Sequence, residues 1–151
     1  MTQKLIVATF DNLDVTQRAA RDLHNFEKAG DGFKIESGVM VEKTADGTLH
    51  VLTQYTESYW GAVIGAISGG LIGLLGGLPG AIAGVAAGAG AGLAGHALEH
   101  ILDKKLTSEI ELELRAGSFA LILEVKNPPE YEVENVVLGY GGKVFTQSLA
   151  W

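Results

Sequence analysis

The chain has 151 residues, a formal net charge of −7 and no cysteine. That length suits one domain, or one small domain with an insertion, and is enough to bury a core without staples. The missing cysteines exclude disulfide scaffolds, thiolate metal sites and thiol nucleophiles, and the acidic balance excludes the basic footprint that nucleic acid requires.

Met1 to Val7 lacks the long apolar run and small-residue cleavage site of a secretory signal, so the globular part is expected in the cytoplasm. Leu5 to Phe10 is a continuous apolar run with β-branched residues, the pattern of a strand buried on both faces. Asp11-Asn12-Leu13-Asp14 is a helix start, and Asp14 with Gln17 has capping-box spacing. Val15, Ala19, Leu23 and Phe26 mark the apolar face of that helix. Arg18, Arg21, Asp22 and Glu27 mark a solvated one, and Gly30 is its stop. Phe33 to Thr44 and Leu49 to Tyr55 read as two strands, joined at Asp46-Gly47 by a type I′ turn.

Between Glu57 and Glu99 there is no Asp, Glu, Lys or Arg. Glycine recurs there at every fourth position, first as Gly61, Gly65, Gly69, Gly73 and Gly77, then as Gly80, Gly84, Gly88 and Gly92. The second phase continues into His96 and His100. Gly76-Gly77-Leu78-Pro79-Gly80 separates the two series as a breaker. The segment reads as a helical hairpin with a bare backbone stripe on each arm. Its bulk falls on other positions, at Val63, Ile67, Leu71 and Leu75 in the first arm and at Ile82, Val85 and Leu93 in the second. Glycine inside a helix costs roughly 1 kcal/mol against alanine. Close helix contact compensates, because glycines four apart form a groove that accepts a neighbouring helix.

Thr107 to Arg115 carries two competing periods. Ile110, Leu112 and Leu114 alternate with Glu109, Glu111 and Glu113, as in a strand. Leu106, Ile110 and Leu114 also share a helix face, with Ser108 and Glu111 at capping-box spacing and Gly117 at the C-cap; a short helix is preferred. Phe119 to Val125 is a further apolar strand ended by Asn127-Pro128-Pro129. Glu130 to Leu138 is a helix closed by Gly139, Gly141 and Gly142, and Val144 to Leu149 is a last strand.

The expected fold is therefore α+β. It is a ferredoxin-like β-α-β-β-α-β sandwich with helices on one face of the sheet, an inserted glycine-zipper hairpin and a C-terminal α-β extension. Residues 1–57 and 103–151 form the globular domain and residues 58–102 the hairpin. The chain resembles an uncharacterised bacterial family of "domain of unknown function" proteins, often labelled predicted membrane proteins. The resemblance rests on Leu5 to Asp11, Val41-Glu42-Lys43 with Asp46-Gly47, the glycine hairpin, Ala116 to Leu121, and Gly139-Tyr140-Gly141-Gly142-Lys143-Val144. It implies a helix before Gly117-Ser118 and brings neither an activity nor catalytic residues.

Two bulk-and-glycine faces exceed what a single hairpin satisfies, so packing between copies is expected. Tyr59 to Leu78 would span about 30 Å as a helix, close to the hydrocarbon thickness of a bilayer. Tyr59 and Trp60 stand where interfacial aromatics would, and Lys104 and Lys105 after the exit favour both ends in the cytoplasm. The second arm is only marginally apolar and inserts better within a hairpin or oligomer. The expected function is a non-enzymatic, self-associating structural protein, a scaffold or pore embedded in or associated with the inner membrane. The alternatives are a cytoplasmic cage, ring or filament with a hairpin core, and a ligand-sensing ferredoxin-like domain, which no polar constellation in the sequence supports.

His96-Ala97-Leu98-Glu99-His100 has the H-x-x-E-H spacing of inverted zinc proteases, which makes His96 and His100 metal candidates. A third ligand is not evident, and the preferred reading is two interfacial histidines with no metal or other cofactor. Gly90 to Gly95 spells G-x-G-x-x-G inside a helical repeat rather than after a strand, so helix packing explains it. Asp11 with Asp14 is assigned to capping, and no catalytic set or small-molecule substrate is identified.

Overall fold

The computed structural model describes residues 3–29, 32–52, 71–72, 75, 103–128 and 131–149. Among them the strands are β1 (Gln3–Phe10), β2 (Lys34–Lys43), β3 (Leu49–Val51), β4 (Phe119–Lys126) and β5 (Lys143–Ser148). The helices are α1 (Leu13–Ala29), α2 (Lys104–Glu113) and α3 (Glu132–Gly139). The strands form one antiparallel sheet in the order β3-β2-β4-β1-β5. β1 and β2 therefore run the same way with β4 between them, and β4 and β5 run the same way with β1 between them.

Side chains alternate across the pleat, so each strand serves two cores. Ile6, Ala8 and Phe10 of β1 join Leu121, Leu123 and Val125 of β4 on the face covered by α1, through Ala19 and Leu23, and by α3, through Val133 and Val137. Leu5 and Val7 join Ala120 and Ile122 of β4, Val39 and Val41 of β2 and Leu49 of β3 on the opposite face. There the cover comes from Ile110 and Leu114 at the end of α2 and from Leu71, Ile72 and Leu75. The expectation of helices on a single face is thus corrected. Apart from Thr9, the buried positions of β1 and β4 are apolar, and such strands need cover on both sides.

Local signals are displaced in three places. Asn12, not Asp14, begins α1: its side-chain Oδ1 accepts from the Val15 amide at 3.0 Å and its carbonyl from Thr16 Oγ1 at 2.7 Å. Asp14 stands inside the first turn and pairs with Arg18 at 3.1 Å. Likewise α2 starts earlier than Ser108, because Asp103 accepts from the Lys105 amide at 3.0 Å. The β2–β3 connection is a three-residue loop, Ala45-Asp46-Gly47, in which the Gly47 amide bonds the Thr44 carbonyl at 3.0 Å. Gly47 alone has positive φ (+86°), so the turn is type I with a glycine bulge rather than type I′, which needs two such residues. The sequence assigns β3 as far as Tyr55; the described strand ends at Val51, and residues 53–55 lie outside the described residues.

Candidate functional site

Leu71, Ile72 and Leu75 are the residues of the expected hairpin segment 58–102 that lie within the described set, and they are 1%, 0% and 4% exposed. The Leu75 amide bonds the Leu71 carbonyl at 2.9 Å, an α-helical i→i−4 link. Their side chains share a cluster with Leu5, Val7, Val41 and Ile122, so this turn is seated on the sheet. Leu71 and Leu75 belong to the bulk series read from the sequence. The glycines of both series, Tyr59, Trp60, His96 and His100 lie outside the described residues.

At the sheet end where β1 exits, three chain reversals converge: β1 into α1, α2 into β4, and α3 into β5. Gly117 (φ +88°) and Gly141 (φ +79°) make the last two possible. Between them lies a polar cleft of about 220 Å³ lined by Thr9, Asp11, Glu113, Arg115, Ser118 and Lys143, with Phe10 and Gly141 at its border. Sheet register assembles it, since Thr9 pairs with Ala120 on one side and Lys143 on the other. Lys143 Nζ donates to Glu113 Oε1 at 2.8 Å across the opening. As whole residues Thr9 and Ser118 are 6% and 8% exposed.

A second, apolar depression runs along the β5 edge, where exposed Leu112 and Leu138 flank Val144 and Phe145. Elsewhere two of the side chains expected to be solvated, Asp22 and Glu27, are engaged. Asp22 accepts a 2.7 Å hydrogen bond from the Tyr140 hydroxyl, tying α1 to the end of α3, and Glu27 Oε2 accepts from the Ile35 amide at 2.7 Å. That bond to Asp22, with burial, pushes the Tyr140 phenol above its usual pKa. In the β2–β3 loop, hydroxyls of Thr44 and Thr48 and the Thr48 amide all donate to Asp46, lowering its carboxyl from 3.8 to about 2.

Among the described residues, no three His, Asp or Glu side chains gather as a metal-binding group, and no helix is long and apolar enough to cross a membrane. The described residues thus form an α+β structure whose antiparallel sheet is covered on both faces, one of them partly by Leu71, Ile72 and Leu75 of the glycine-rich segment. The chain belongs to the family described as "Protein of unknown function (DUF1269)", which matches residues 62–151. The matched region takes in most of the glycine-rich segment together with α2, β4, α3 and β5. No curated protein and no solved structure matches the chain.

Proposed function

We propose that this chain is a non-enzymatic, self-associating structural protein. Its ferredoxin-like sandwich comprises β1, α1, β2, β4, α3 and β5, and it holds a glycine-zipper hairpin ready for contact with copies of itself. The first six elements of the chain do not have this arrangement, since β3 lies outside β2 and α2 is on the other face. With α3 and β5 taken into the sandwich instead of as an extension, the strand order β5-β1-β4-β2 and the common face of α1 and α3 support a ferredoxin-like reading. In it, β3 is an added edge strand, and the hairpin with α2 forms the insertion.

The observation that carries the proposal is the burial of Leu71, Ile72 and Leu75 on the sheet. The bulk series and the glycine series of the first arm are two residues out of phase. Two residues of α-helix turn through about 200°. In the register read from the sequence, an arm seated through Leu71 and Leu75 therefore turns its glycines away from the sheet. The second arm, with Ile82, Val85 and Leu93 among alanines and glycines, offers few large side chains to fill that stripe and carries a second stripe of its own. Copies of the hairpin fill both.

The same seating favours assembly in water over a membrane span, because side chains that cover a sheet are withdrawn from acyl chains. Carbonate-washed membranes and the detergent-free soluble fraction distinguish the two settings. Regular particles in the soluble fraction are expected. Retention in carbonate-washed membranes with no particles would place the hairpin in lipid, and a monomer in both fractions would refute self-association.

A further inference from the structure

We infer that the polar cleft at the β1 exit binds a small zwitterion of the α-amino-acid class, with its carboxylate toward Arg115, Thr9 and Ser118 and its ammonium toward Asp11 and Glu113. Two observations carry this independently of the self-association reading. The first is hydrogen-bonding capacity left open. Thr9 and Ser118 are more than nine-tenths buried and line the cleft, yet neither hydroxyl bonds to another described residue. Neither hydroxyl oxygen is fully enclosed, so each is reachable from the cleft and open to bond whatever occupies it. The second is the charge of the wall. Asp11, Glu113, Arg115 and Lys143 all line it, two charges of each sign. Lys143 and Glu113 pair with each other. Asp11 and Arg115 are exposed and have no ion-pair partner among the described residues.

That balance selects among ligands. A phosphate dianion meets two carboxylates, and a divalent cation meets a guanidinium and an ammonium. A molecule carrying one charge of each sign meets complementary groups at both ends, with the guanidinium able to grip the carboxylate through two parallel bonds. A volume of about 220 Å³ with a mainly polar wall admits a short polar side chain and leaves no apolar compartment for a large one. Free serine fits this description.

The test is amide NMR of the full chain titrated with L-serine. Saturable shifts are expected at Gly117, Ser118, Gly141 and Lys143, at millimolar concentration for a ligand of this size, near −4 kcal/mol. Arg115→Met and Asp11→Asn should each weaken binding by about tenfold or more. Both residues are exposed, so neither change threatens the fold, and unchanged sheet amide shifts verify this. Acetate and methylammonium, each offering one charge, should bind at least about tenfold more weakly than serine. An absence of saturable shifts with serine overturns the inference, as does equal binding by acetate or an unaltered affinity in Arg115→Met. Oligomer mass measured alongside keeps this outcome separate from that of the self-association proposal.

Discussion

Leu71→Ala tests whether a hairpin side chain is part of the sheet's core. The substitution removes three carbons from a site that is 1% exposed and belongs to the same core cluster as Leu5, Val7, Val41 and Ile122. At about 0.8 kcal/mol per buried methylene, the transfer loss is about 2.4 kcal/mol. The cavity left behind raises the total to roughly 3–4 kcal/mol. For a domain stable by about 5–15 kcal/mol this is a large fraction. With a urea m-value of about 2 kcal/mol/M, the midpoint should fall by roughly 1.5–2 M. The readout is hydrogen exchange at β1 and β4 amides, such as Val7 and Ile122, which reports on the sheet rather than on helix content. Leu112→Ala, at a site 76% exposed, is the control and should change stability by less than about 0.5 kcal/mol. If Leu71→Ala and Ile72→Ala leave sheet exchange at the wild-type midpoint, the placement of Leu71 and Ile72 in the sheet's core is wrong.

Four further outcomes are expected. Gly142→Ala sets a Cβ 2.7 Å from the Thr9 carbonyl oxygen and 2.6 Å from the Phe10 ring, so thermal melting should reveal a loss of about 1–3 kcal/mol; Gly139→Ala, with nothing within 4 Å, should be neutral or slightly stabilising. Asp46 should titrate near pH 2 by carboxyl NMR. Because its folded pKa lies below the ordinary 3.8, its contribution to stability is complete above that value and is lost as pH falls toward 2, and a midpoint near 3.8 would contradict the three-donor loop. The Tyr140 phenol should ionise above its ordinary 10 in an ultraviolet titration, with Asp22→Asn returning it toward that value. Since the raised pKa belongs to the folded state, this contribution is present below pH 10 and disappears as pH climbs through the folded value. Gly69→Leu or Gly88→Leu should reduce assembly mass by light scattering while leaving the sheet's exchange pattern intact, and an unchanged mass would contradict packing through the stripes.

The strands were readable because their environments are simple. Leu5 to Phe10 and Phe119 to Val125 are apolar on both faces apart from Thr9 and Glu124, which is what a strand between two cores requires. The same runs already called for cover on both faces, and placing all helices on one side overlooked that demand. The ridge of Leu71 and Leu75 was visible at fourth positions, but an apolar ridge has the same pattern whether it meets a sheet, a helix or lipid. Side-chain tethers were harder to see. Asp22 and Glu27 lie on the polar side of α1, and nothing local distinguishes a carboxylate that reaches Tyr140 or the Ile35 amide from one in water. The cleft left no trace in the sequence at all. Its residues are scattered from Thr9 to Lys143, and the pairing of β1 with β4 and β5 brings them together.

The position of β4 has a consequence for synthesis. It is the strand that joins β1 to β2, hydrogen-bonded along both, yet it is encoded beyond the glycine-rich segment. During translation β1, α1, β2 and β3 emerge with no strand to connect the two halves of the sheet, and the apolar segment emerges next. Leu75 and Lys126 are 51 residues apart. At about 5–20 residues per second, that is roughly 3–10 s in which Leu71, Ile72 and Leu75 lack the surface that buries them. Non-local pairing of this kind is slow to form even after release. The nascent chain therefore passes through a stage in which its most apolar stretch is on offer to whatever is nearest: a chaperone, a bilayer or the same segment on a neighbouring ribosome.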